Sequence, residues 1–190
     1  MKTDLEKNAY QWITARIEDI NIQSEYYCRT RDIFQARQEK MTQELLKNRS
    51  IAEDDVYIIS AIVGEIGNNS FDHNLGNWPD AAGVFFGYFL SNERPKIVLA
   101  DRGRGILATL KRVKPELKTD AEALKTAFTE KISGRAPENR GNGLKFVKEN
   151  VEERKMRLIF ISGNAIMELN RKMKIKTTNE NVRGCLAILS

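Results

Sequence analysis

Glu65, Asn69 and His73 are spaced four residues apart. On a helix that spacing puts a carboxylate, an amide and an imidazole in one line, with Ala61 a turn earlier. The line is rotated about 100° from the direction of Ile66. An amide oxygen is a ligand for a hard cation such as magnesium. A carboxylate nearby is a base, or an anchor for an attacking nucleophile. Holding such groups beside a core is costly unless they serve a pocket or a partner. Taken alone, the stripe reads equally well as a partly solvated polar flank.

A second stretch, VLADRGRGI (98–106), ends an apolar run at Asp101 and continues through Gly103 and Gly105 to Ile106. A carboxylate at the base of a pocket accepts a hydrogen bond from an exocyclic amine. Adenine offers that amine where guanine presents a carbonyl, so the acid favours adenine. The glycines let backbone approach a ring and ribose closely. The plainer reading is a turn between a strand and a helix. A third stretch, NRGNGLKFV (139–147), sets Gly141, Asn142 and Gly143 directly before a helix that begins with Leu144 and Lys145. Free amides at a helix N-terminus bind phosphate oxygens. Arg135, Arg140 and Lys145 add positive charge around that spot. By itself this too is an ordinary helix start.

In this order the three stretches resemble the boxes of the GHKL superfamily, the Bergerat-fold ATPases, which include gyrase-type topoisomerases, histidine kinases and mismatch-repair ATPases. EIGNNSFDH looks like the helix box, with its acid and asparagine four apart. DRGRGI matches the first glycine box, DxGxGI, at every fixed position, and GNGL looks like the second. The spacing Glu65, Asn69, His73 is most similar to the bacterial anti-sigma-factor serine kinases, whose box reads E-x-x-x-N-x-x-x-H. Histidine kinases usually place a further glycine where this chain has Lys145. The resemblance covers about residues 50–190.

The resemblance implies an ATP site that uses Mg2+. Asn69 would ligate magnesium, Asp101 would read adenine and Glu65 would polarise the nucleophile. His73, Gly103, Gly105, Ile106, Gly141, Asn142, Gly143, Leu144 and Lys145 would line the nucleotide, and residues 107–140 would form a lid. Its activity would be ATP hydrolysis or transfer of the γ-phosphate to a protein serine or threonine, in bacterial regulation with a regulatory protein partner. Two other readings stand beside it. One is a nucleotide-gated binding module with little or no catalysis, the other a basic adaptor whose glycines are only turns.

These residues need elements to position them. SIAEDDVYIISAIVGEIGNNSFDHN places Ser50 and Glu53 in capping-box spacing. Val56, Ile59, Val63 and Ile66 follow as a helix stripe. Gly67 and Asn68 are unusual inside a helix and mark either a close contact or a local break. VFFGYFL and KIVLAD read as an antiparallel hairpin ending at Asp101. Residues 106–132 read as mostly helical with a break at Pro115, and a helix begins near 143. RLIFIS, AIMELN, MKIKTT and CLAILS read as four short strands, with turn signals at Gly163-Asn164 and Asn170-Arg171. The first 48 residues read as two helices. Tyr10, Ile13, Ile17 and Ile20 form the stripe of the first, and Ser24 precedes the second, which carries Phe34, Met41 and Leu45.

This order predicts an α+β two-layer sandwich, a mixed, mostly antiparallel sheet with helices on one face. The opposite face is left to the N-terminal helices or a partner. Residues 1–49 are read as a helical extension and 50–190 as the ATP-binding domain. The extension is either a cover for the sheet or a homodimer interface; periodicity does not choose.

Bulk properties narrow the class. The 190 residues suffice for a core. No apolar run approaches the roughly 18 residues of a membrane span. The first dozen residues carry acids and no apolar segment, which reads as cytoplasmic rather than secretory. Cys28 and Cys185 are far apart and read as free thiols in a reducing compartment. The net charge of +5 comes from 31 bases mixed with 26 acids. The basic clusters at 110–118 and 170–176 have no interleaved aromatics, which argues against a nucleic-acid platform.

Overall fold

The computed structural model describes residues 4–90, 94–131 and 143–190. In chain order its elements are α1 (Asp4–Thr14), a 3-10 turn (Ile17–Asp19), β1 (Tyr27–Cys28), α2 (Arg31–Lys47), α3 (Glu53–Asn74), β2 (Val84–Phe89), β3 (Lys96–Asp101), α4 (Gly105–Leu110), α5 (Asp120–Thr129), α6 (Gly143–Glu153), β4 (Leu158–Asn170) and β5 (Lys172–Leu189). This is an α+β fold.

The five strands form one open sheet in the order β1-β2-β3-β5-β4. Every neighbouring pair is antiparallel, so the sheet is not mixed as the sequence suggested. The reason is topological. β3 and β4 run in the same direction, but β5 lies between them and pairs antiparallel with both. The β2–β3 hairpin forms as read, with Val84 opposite Asp101. The four short C-terminal segments are joined into two long strands, with register shifts around Gly163.

Period-2 alternation sorts the strand residues onto two faces. Val84, Phe86, Ile97, Leu99, Leu158, Phe160, Ala187 and Leu189 join the main core with α2, α3, α5 and α6. Phe85, Val98, Ala100, Leu186 and Ile188 form the opposite face, which is covered by Ala9, Trp12 and Ile13 of α1. The two N-terminal helices are thus divided between the faces. α2 sits with α3, and α1 lies across the sheet. β1 pairs with the edge of β2, so this segment also supplies a strand. Ile17 and Ile20 lie beyond the end of α1, and Ile17 is 49% exposed rather than buried in a continued stripe.

α3 holds the expected stripe, with Val56, Ile59, Val63 and Ile66 all buried. Its start differs from the expected capping box. Ala52 is the N-cap and no side chain caps it. Glu53, Asp54 and Asp55 crowd the first turn instead, where negative charge meets the positive end of the helix dipole. α2 is capped by Thr30, whose hydroxyl accepts from the Ile33 amide, and not by Ser24. Gly67 marks a close contact and no break. The helix runs on through Asn74, and a Cβ at Gly67 would collide with the Cζ edge of the Phe34 ring of α2. One turn earlier, Gln38 Nε2 donates to the Ser60 carbonyl at 2.8 Å, close to Gly64.

Candidate site between α3, the β3–α4 loop and α6

Asp101 is the last residue of β3 and is 3% exposed. Its Oδ1 accepts from the Gly103 amide at 2.8 Å, and its Oδ2 accepts from Ser70 Oγ of α3, also at 2.8 Å. Burial raises its carboxyl above the usual aspartate range, against the lowering effect of the hydrogen bonds from Ser70, Gly103 and Cys185. Cys185 is its partner across the β3–β5 ladder. Burial, and then the charge of Asp101, push that thiol well above its ordinary value. Both cysteines are free.

The loop after Asp101 is held from three sides. The Arg104 amide donates to Asn74 Oδ1 at 2.9 Å, and Asn74 Nδ2 returns to the Ser70 carbonyl at 2.8 Å. A side chain at Gly103 would occupy the place of the Asn74 amide. Gly105 has φ +75°, which only glycine adopts without cost, and it opens α4. The Ile106 amide donates to Ser162 Oγ of β4 at 2.9 Å, and Ser162 donates to the Gly184 carbonyl at 3.1 Å. Ile106 packs against the main core and against Leu110, Leu117 and Ala123.

Glu65 and Asn69 point toward the start of α6. Glu65 is exposed and Asn69 half-buried. A Cβ on Gly143 would collide with the Glu65 carboxylate and would lie 3.5 Å from Asn69 Nδ2. The first residue of α6 can therefore sit against this stripe only because it is glycine. Leu144 packs on the main core, and Lys145 pairs with Glu149 at 3.9 Å. Gly141 and Asn142 lie outside the described residues, as do Arg135, Arg140 and the last part of the expected lid, 132–140.

His73 is half-buried. Burial, and then the Arg112 charge, lower its imidazole below the usual value. A neutral ring can accept or donate near the site without adding to its positive charge. Among the described residues no three His, Cys, Asp or Glu side chains converge on a metal position.

The expected residues thus gather in two adjoining groups, Asp101 to Ile106 and Glu65, Asn69 and Gly143. They are joined by α3, where Ser70 follows Asn69 directly. Ser70 and Asn74 were missed in the sequence. They lie one residue on from the Glu65 stripe, four apart, and this is the line that meets the glycine loop. Helical spacing could have found them. Ser162 and Cys185 reach the site through strand pairing, which leaves no local signal. No protein-family model matches the chain, and no curated protein or solved structure matches it.

Proposed function

We propose that this chain binds ATP with magnesium between α3, the β3–α4 loop and α6, and that it hydrolyses the nucleotide or passes the γ-phosphoryl group to a protein serine or threonine. The observation that carries this reading is the Ser70–Asp101 hydrogen bond, which joins the helix box to a buried carboxylate at the head of a glycine loop. A buried carboxylate held in place by Ser70, Gly103 and Cys185 is a fixed acceptor of the kind an exocyclic amine needs. The glycine at 105 and the short loop leave backbone close to where a ring would stack. Asn69 is the amide oxygen available to magnesium, with the remaining positions filled by phosphate and water as that ion prefers. Glu65, whose carboxylate lies against Gly143 at the start of α6, would polarise an attacking hydroxyl. Magnesium would neutralise the phosphate charge; the protein's share is positioning. The fold would then be of the Bergerat type, the regulatory partner a protein substrate or antagonist, and the setting cytoplasmic.

One observation favours the binding-module reading as well. Among the described residues no hydrogen bond orients the Glu65 carboxylate, whereas a working base is usually held by a neighbour. Calorimetry with ATP and GTP, with and without magnesium, followed by phosphate release, tests the proposal. ATP binding that needs magnesium and excludes GTP supports it, and turnover decides between enzyme and module. No binding of either nucleotide would leave the glycines as turns.

A further inference from the structure

Arg102 stands between Asp101 and Gly103, yet its side chain does not enter the candidate site. The residue is 2% exposed. Its Nη1 donates to the Trp12 carbonyl at 2.6 Å and its Nη2 to the Ala15 carbonyl at 2.8 Å. These are carbonyls from the end of α1 and just beyond it, orphan acceptors that a cation satisfies well. Nε and Nη2 also grip Asp80, at 3.1 and 2.7 Å. The guanidinium lies 5.9 Å from the Trp12 ring centre. Asp80 is shared with Arg183 of β5 at 2.7 Å. Burial alone would raise the Asp80 carboxyl. The hydrogen bonds from Arg102 and Ala81, with the charges of Arg102 and Arg183, bring it below the usual range instead. A groove of about 480 Å³ opens over this cluster, bounded by Arg16, Ile17, Glu18, Asp80, Arg102 and Arg183.

The backbone of Arg102 therefore belongs to the nucleotide loop and its side chain to the seat of α1. We infer that the docking of α1 regulates the nucleotide site, with Arg102 as the positioning residue between them. With α1 seated, all three guanidinium nitrogens donate hydrogen bonds, and residues 101–105 are held so that Asp101 faces the pocket. With α1 displaced, a cation that cannot be neutralised loses two acceptors inside the protein. It must turn toward water, and the peptide units on either side, those of Asp101 and Gly103, turn with it. The groove at the end of α1 leaves the clamp open to whatever would displace it. This inference rests on the nucleotide reading above, and coupling of this kind must act in both directions.

The test is amide hydrogen exchange on the full chain, with and without saturating ATP and magnesium. ATP should slow exchange in residues 9–15 of the wild type as well as at 102–106, although α1 lies on the other face of the sheet. In Arg102→Lys, which keeps the charge but loses the planar fork, ATP should no longer slow residues 9–15, and affinity should fall about tenfold. Without nucleotide, Ile13→Val, a mild loosening of α1 against the sheet, should speed exchange at 102–106 while leaving α3 and α6 unchanged. If ATP binds and protects 102–106 but leaves residues 9–15 as they were, the coupling is wrong and the nucleotide reading stands. If ATP does not bind, the nucleotide reading fails and regulation of that site fails with it. The Ile13→Val arm then still decides whether α1 and the loop are mechanically linked, since unchanged exchange at 102–106 denies the link outright.

Discussion

Three side chains in the candidate site should fail in three different ways. Asp101→Asn keeps the shape but removes the charge that strengthens the bond to an exocyclic amine. That costs about 1.5–3 kcal/mol, so ATP affinity by calorimetry should fall roughly ten- to a hundredfold. Glu65→Gln should leave binding intact, because Glu65 is exposed and holds no other described group in place. Any turnover should drop by about 10²–10⁴. Asn69→Ala should bind ATP with no dependence on magnesium. If Glu65→Gln abolished binding while Asp101→Asn left it unchanged, the roles would be misassigned. His73 carries a separate prediction. Its lowered imidazole means that the folded chain binds fewer protons than the unfolded chain just below the ordinary value of about 6.5. Stability therefore falls as pH drops through that window and is restored above it. His73 is the one histidine in the chain. His73→Gln should flatten the slope of the urea midpoint between about pH 5 and 7, and an undiminished slope would assign it to other groups. At this scale the sequence was most legible in the helical spacing of Glu65, Asn69 and His73, which all lie on α3. It was silent on Arg102, which from sequence is merely the variable position in a glycine box.

At the scale of elements, α3 depends on α2 more than the sequence suggested. Gly67 is buried because Phe34 lies where its side chain would be. Gly67→Ala, which would strengthen an isolated helix, should instead destabilise this one. Overpacking of this sort costs about 1–3 kcal/mol, to be read as a lower urea midpoint, and an unchanged or raised midpoint would deny the close approach. The same contact explains what deleting residues 1–48 would do. Phe34, Met41 and Leu45 of α2 are fully buried in the main core. Removing them opens that core, whereas α1 alone covers the other face. The helix interiors of α2 and α3 were legible because apolar residues recur at the helical period. Their starts were not. Ser24 and Ser50 both have the chemistry of a cap, but the chain uses residues 24–28 for a turn and the strand β1, and α3 starts at Glu53 with acids in place of a cap. Cap signals are permissive, and tertiary pairing chooses among them.

For the molecule as a whole, the order of helices and strands pointed to the α+β fold that forms, and among the described residues no helix is long and apolar enough to cross a membrane. The sheet order could not be read, because it depends on which distant strands pair. The last residues of β5 fill the gap between β3 and β4, and residues 185–189 pair on both sides. A chain stopped after Gly184 should therefore lose more than an edge. It should show no cooperative unfolding transition by circular dichroism, and a sharp transition would mean that the two halves of the sheet stand alone. There is also a consequence for biosynthesis. While the chain is being made, β3 has one open side until residues 185–189 of β5 emerge, with Ile97 and Leu99 facing an unfinished core and a row of unpaired peptide groups beside them. A nascent chain in that state is a template for another like it. Slow translation of the codons for β5, or crowding of polysomes, should therefore favour aggregation over folding, and a chaperone that shields exposed strand edges should matter more here than for a chain whose strands pair in the order they are made.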